Sequence, residues 1–177
     1  GTSNKSEISR ADKLVLPGVG DFGACMKNFE ESGLIQTVTG RMEAGVPLLG
    51  ICVGLQILFE GSEESQKERG LGYFKGLVKR IKAPGLKVPH MGWNSVTFTQ
   101  PELPIFQGIE PESYFYFVHS YHAVPDDFAV VAATTEYGER LTAAVAKDNV
   151  MATQFHPEKS GDVGLMVIKN FVDWKCK

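Results

Sequence analysis

Cysteine is scarce in this chain: Cys25, Cys52 and Cys176 are the only three among 177 residues. Thiols so few and so scattered exclude a disulfide framework, and no leader-like segment is read at the start, so a reducing cytoplasm is the expected setting. Long apolar runs are lacking too. No stretch approaches the roughly 20 uninterrupted apolar residues that a membrane helix needs. Neither charge sign dominates: 18 Lys and Arg stand against 21 Asp and Glu, a formal charge of -3. That balance leaves no electrostatic footprint for nucleic acid or anionic lipid. Repeats, low-complexity tracts and linkers are absent as well, so one domain over residues 1–177 is expected. What remains is 43% hydrophobic and 22% charged residues, the composition of a soluble globular chain whose ligands are small molecules or other proteins.

Two strand–turn–helix units open the chain. Leu14-Val15-Leu16 is short and apolar and empties into Pro17-Gly18-Val19-Gly20. Phe22, Cys25, Met26 and Phe29 then fall at i, i+3, i+4 and i+7, which predicts an amphipathic helix ending near Gly33, with a second over Leu34 to Met42. Val46 to Ile51 reads as another buried strand and runs into a helical stretch over Cys52 to Glu60. From Gly72 to about Ala152 short strands take over, at 76–78, 95–98, 114–118 and 143–146, and Val150 to Phe155 closes the series. A last helix starts at Asp162, with Ser160 as its candidate N-cap. The pattern predicts an α/β fold with a mostly parallel sheet, helices on both faces and added antiparallel strands.

Gly50-Ile51-Cys52-Val53-Gly54 is the thiol form of a nucleophile elbow. A nucleophile raised on a sharp strand-to-helix turn needs small neighbours, because side chains there would meet the crossing backbone. The helix that follows aims N–H groups at the sulfur and is expected to lower its pKa. A buried structural cysteine between packing glycines fits the pentapeptide equally well. His156-Pro157-Glu158 is the second signal: proline keeps His156 extended, so His156 and Glu158 share a face as a base and its orienting carboxylate would. A lone histidine at a strand end is more often a surface residue. Gly18 and Gly20 permit a loop whose N–H groups line an oxyanion hole, or an ordinary turn.

Beyond these patterns, Gly50-Ile51-Cys52-Val53-Gly54-Leu55-Gln56 and His156-Pro157-Glu158 resemble the class I (triad) glutamine amidotransferases. Residues 16–23, 88–94, 116–121 and 154–160 resemble, within that family, the glutaminase subunits of imidazole glycerol phosphate synthases of histidine biosynthesis. The resemblance runs from Ala11 onward.

It implies a flavodoxin-like domain with no metal and no cofactor. Cys52 would attack the side-chain amide of glutamine, His156 would protonate the leaving ammonia and then activate water, and Glu158 would hold the imidazole tautomer. Val53 and the Gly18-Val19 peptide would stabilise the oxyanion, the latter after a reorientation triggered by the synthase partner. Gly20, Gln56, Ser120 and Tyr121 match substrate-binding positions, and Glu64 is an added candidate toward the substrate ammonium, or a solvated helix residue like Glu60. A (β/α)₈ cyclase partner would receive the ammonia, making imidazole glycerol phosphate and an aminoimidazole carboxamide ribotide. His90, Trp93 and Asn94 match a segment at that interface, and Lys159 would meet an acid of the partner; Trp93 reads equally as a core aromatic.

Two other readings stand beside this one. A paralogue would supply ammonia to a different synthase, such as a sugar-nucleotide amidating enzyme. A non-catalytic regulatory partner would keep the fold alone, and the intact Cys52, His156 and Glu158 argue against it. The resemblance also implies an opening strand, loop and helix ahead of Ala11, on the order of 30 residues, to which nothing in this sequence corresponds.

Overall fold

The computed structural model describes residues 2–175, so Gly1 and Cys176 lie outside the described residues. Its core is a six-stranded sheet in the order β1-β2-β11-β10-β9-β6. β1 (Leu14–Pro17), β2 (Leu48–Ile51) and β11 (Val150–Thr153) run parallel, and β10 (Glu139–Lys147), β9 (Val131–Tyr137) and β6 (Thr97–Phe98) extend the sheet antiparallel. β2 lies between β1 and β11 and is apolar on both faces, as a strand inside a covered sheet must be. Leu49 packs with Met151, Phe155, Phe115, Phe117, Val167 and Phe171 on one side, whereas Leu48 packs with Val38, Met42, Leu55, Phe59 and Phe74 on the other. Each of these two layers, filled largely by fully buried side chains, excludes water from one face of the sheet.

Helices cover both faces. α1 (Lys5–Arg10), α2 (Phe22–Ser32), α3 (Ile35–Glu43) and α4 (Val53–Gln56) lie to one side, and α5 (Gly161–Asp173) to the other. α1 forms within the polar opening stretch because Asn4 caps it, its side chain accepting from the Ser6 and Glu7 N–H groups. α2 begins at the Asp21 cap and ends at Gly33, whose φ of 72° suits a residue without Cβ.

The expected helix over residues 52–60 is a single turn. The carbonyls of Ile57, Leu58 and Phe59 accept instead from the N–H groups of Leu71, Phe74 and Gly72, so the returning segment takes the bonds that further helix would use. Ser160 precedes α5 as expected but makes no side-chain cap bond. Its hydroxyl donates to the His156 carbonyl at 2.6 Å and accepts from the Tyr116 N–H at 2.9 Å.

Two smaller sheets complete the fold. β3 (Gly61–Ser62), β4 (Gly76–Arg80) and β8 (Tyr121–Pro125) form one, and β5 (His90–Ser95) with β7 (Tyr114–His119) form the other. β7 and β8 are one strand bent at Ser120, which carries the chain from one sheet into the next and sets Ser120-Tyr121 beside the central sheet. No helix among the described residues is long and apolar enough to cross a membrane.

Candidate active site

Cys52 stands at the turn between β2 and α4 with φ 56° and ψ -113°. A non-glycine residue held there stores strain of about 1–3 kcal/mol, the mark of a side chain forced into a set position. The neighbouring glycines are required by contact. A Cβ on Gly54 would overlap the Leu16 carbonyl, and one on Gly18 would overlap Gly54 N and Val53 Cβ. One on Gly50 would sit 3.0 Å from the Gly54 oxygen and 3.1 Å from Ala152 Cβ. The loop after β1 is thus pressed directly onto the elbow.

His156 follows β11 in extended conformation (φ -95°, ψ 100°) and its N–H donates to the Tyr116 carbonyl at 3.0 Å. Its Nδ1 lies 2.6 Å from Glu158 Oε1. A carboxylate only accepts, so Nδ1 carries the proton and the other ring nitrogen, Nε2, is left with its lone pair. That Nε2 is buried and has no partner among the described residues.

Both halves meet at a pocket of about 520 Å³. It is lined by Gly18, Val19, Gly20, Cys52, Val53, Gln56, Glu64, Ser120, Tyr121, His156, Glu158 and Lys159. Val19 is 78% exposed at the rim. Glu64 accepts from the Phe22 N–H at 2.9 Å, which ties it to the first turn of α2, and Glu60 accepts from the Gly76 N–H. Gln56 is buried and donates to the Tyr121 carbonyl at 3.1 Å and to Gln154 Oε1 at 3.0 Å.

His90, Trp93 and Asn94 stand apart from this pocket, on β5. Trp93 is 54% exposed and packs edge-on to Tyr116, 6.2 Å between centroids. His90 is buried, with Nδ1 2.9 Å from His119 Nε2, and Asn94 Nδ2 lies 3.2 Å from His90 Nε2. Among the described residues no group of three or more His, Cys, Asp or Glu is arranged to hold a metal.

The electrostatics correct one expectation. Cys52 is not a low-pKa thiol: burial pushes it up to about 11, against a smaller opposing effect of the Val53 N–H. α4 is one turn long, so its dipole is too weak to overcome the loss of hydration. At neutral pH the resting group is therefore a thiol, and its proton must leave as it reacts. Burial likewise pushes His90 down to about 4 and His119 down to about 3.

Two residues of this site carried no role in the sequence reading. Gln154 is fully buried, and its Nε2 lies 3.7 Å from Cys52 Sγ. Its signal was an amide, next to Thr153, inside the mostly apolar run 150–155. His119 falls on the inward face of β7 with Phe115 and Phe117, a polar residue in an apolar alternation.

A thiol on a strained elbow, faced from the same pocket by an imidazole that a carboxylate orients, defines a thiol-dependent acyl-transfer site on an α/β scaffold. The chain belongs to the class-I glutamine amidotransferases, whose family model matches residues 2–174. More narrowly, it is 51% identical to the imidazole glycerol phosphate synthase subunit HisH of Syntrophotalea carbinolica, over 97% of this chain and 86% of that one. It is also 51% identical to the protein of the same name from Methanocaldococcus jannaschii, over 97% and 85%. Among solved structures, a GMP synthase protein of Thermoplasma acidophilum aligns with a TM-score of 0.63 at 26% identity, over 95% of this chain and 74% of that one. A glutamine amidotransferase at 23% identity and a TM-score of 0.67, over 97% and 85%, shares the fold.

Proposed function

We infer that the chain is the glutaminase subunit of an imidazole glycerol phosphate synthase, hydrolysing L-glutamine to glutamate and ammonia for the cyclase half of that enzyme. Cys52 Sγ attacks the side-chain amide carbon of glutamine while its proton passes to His156 Nε2, the unpartnered nitrogen. A C–S bond forms and the carbonyl becomes an oxyanion, held by the Val53 N–H and the Gly18-Val19 peptide. His156 returns the proton to the leaving nitrogen, the C–N bond breaks and ammonia departs. A water then gives its proton to His156 and its oxygen to the thioester carbon, and glutamate leaves as Sγ is reprotonated. Glu158 balances the charge that His156 carries between these steps. Gly20, Gln56, Glu64, Ser120 and Tyr121 receive the amino-acid end of the substrate.

The partner is a (β/α)₈ cyclase, docked where Trp93 and Asn94 reach the surface over the buried His90, with Lys159 at the mouth through which ammonia leaves. What carries this reading is the His156–Glu158 pair, 2.6 Å apart, on the same pocket as the strained Cys52. The 51% identity to synthase subunits supports the choice of synthase.

The test is ammonia release from glutamine, with and without the cyclase partner and its nucleotide ligand. Cys52→Ala abolishes release, and a glutamine-analogue electrophile labels Cys52 and neither Cys25 nor Cys176. Release that survives Cys52→Ala refutes the mechanism.

A further inference from the structure

The Tyr121 carbonyl is the origin of two hydrogen-bond chains whose direction is fixed at every step, because a carbonyl oxygen only accepts. It takes one bond from His119 Nδ1 at 2.9 Å and another from the Gln56 carboxamide nitrogen at 3.1 Å. Since that Gln56 atom is a nitrogen, the Gln154 atom 3.0 Å away from it is Oε1. The opposite end of the Gln154 carboxamide, its N–H end, is thereby turned to Cys52 Sγ, 3.7 Å away.

Along the other arm, His119 spends its proton on Tyr121, so its Nε2 accepts from His90 Nδ1, and His90 Nε2 accepts from Asn94 Nδ2. Asn94 is itself anchored, donating to the Glu136 carbonyl at 2.8 Å. Both histidines are neutral in this arrangement, since a proton added to either would set two donors face to face.

We propose that Gln154 is a further catalytic residue, a donor to the Cys52 sulfur that stabilises the thiolate, with His119 as a positioning residue on the Tyr121 carbonyl and His90 as the residue that positions His119. The proposal rests on the reading of Cys52 as the nucleophile. Gln154 is fully buried, so water does not compete for its N–H, and a donor to the charged form of an acid favours that form. It acts against the burial that keeps Cys52 protonated. The strand carrying Trp93 and Asn94 is thereby joined to the sulfur by side chains and one carbonyl.

The test needs no glutamine. Alkylation of Cys52 by iodoacetamide is followed between pH 7 and 9.5 by mass spectrometry of the Cys52 peptide, in wild type, Gln154→Met, Gln154→Glu, His119→Leu and His119→Asn. Loss of the donor in Gln154→Met raises the thiol pKa by about one unit, which is about tenfold less thiolate at a given pH. Nucleophilicity rises with basicity, so the rate falls by about threefold. Gln154→Glu falls further, because a carboxylate opposes the thiolate. His119→Leu also slows alkylation, and His119→Asn, which keeps an N–H where Nδ1 stood, restores it. Unchanged rates in both Gln154 variants overturn the proposal, as does a change matched in parallel at Cys25. If the Gln154 variants fail to fold, the His119 pair decides: a wild-type rate in His119→Leu overturns it. Should the chain release no ammonia from glutamine while Cys52 alkylation still depends on Gln154, the proposed function falls and this inference stands.

Discussion

Acid should weaken this fold steeply, and two buried histidines say by how much. His90 and His119 are neutral in the folded chain, held down to about 4 and about 3 against 6.5 for the free group, chiefly by burial. For His119 the bond to the Tyr121 carbonyl opposes this in part, and the neighbouring His90 adds to it. In the unfolded chain both take up a proton below pH 6.5. The unfolded state then binds more protons, so stability is fully present above about 6.5 and falls as the pH drops toward 4 and 3. Each pH unit inside that window costs about 1.4 kcal/mol per histidine. At pH 5 the loss is about 2 kcal/mol for each and about 4 kcal/mol for the pair, a large part of the 5–15 kcal/mol that holds a typical domain together. Urea unfolding followed by circular dichroism at pH 7.5 and pH 5.0 measures it. The double variant His90→Gln/His119→Asn, which has nothing to titrate at these positions, should lose most of the difference. A wild-type stability that changes by less than about 1 kcal/mol between the two pH values would refute the reasoning, as would an equal drop in the double variant.

Glu158→Gln keeps the shape of the imidazole's partner and removes its charge; glutamine turnover should fall by about a hundredfold or more with KM little changed, read by ammonia release. Gly54→Ala drives a Cβ into the Leu16 carbonyl and should cost about 3 kcal/mol, visible as a lowered melting midpoint. Gly40→Ala is its control, a mid-helix position with nothing within 4 Å of the added carbon, and should stabilise by about 1 kcal/mol. Ser160→Ala strands the part-buried Tyr116 N–H and leaves the His156 carbonyl with the Lys159 N–H alone. The expected cost is about 2 kcal/mol in denaturant unfolding, together with slower turnover, and an unaltered melt would count against it.

The layered core was legible because burial writes itself into pattern. Val46 to Ile51 and the spacing of Phe22, Cys25, Met26 and Phe29 formed the buried strand and the helix expected. Leu14-Val15-Leu16, expected as a buried strand, formed one at the edge of the sheet with Val15 54% exposed. β5, β8 and β9 were missed where mixed residues, such as His90-Met91-Gly92-Trp93 and Tyr121-His122-Ala123-Val124, give no clean alternation. The overlong helix after Cys52 was a different failure. Propensity is local, whereas the bonds that end α4 come from residues 71–74. The site divides the same way. His156 and Glu158 were readable as a pair because proline fixes the backbone between them. The state of Cys52 was not, because desolvation depends on everything packed around a sulfur and only its weaker rival, the helix end, is visible in sequence.

The Tyr121 carbonyl belongs to the main chain, and that decides which changes in the gene can silence the network it orients. Replacing the side chain at 121 leaves the oxygen where β8 holds it, paired in register with Arg80. Drift at this position is therefore tolerated by the network, whereas Gln56, Gln154, His119 and His90 are each exposed to single substitutions. In a library of random variants scored for activity, position 121 should accept residues of varied size and polarity, insofar as substrate contact permits, while 154 and 119 accept few.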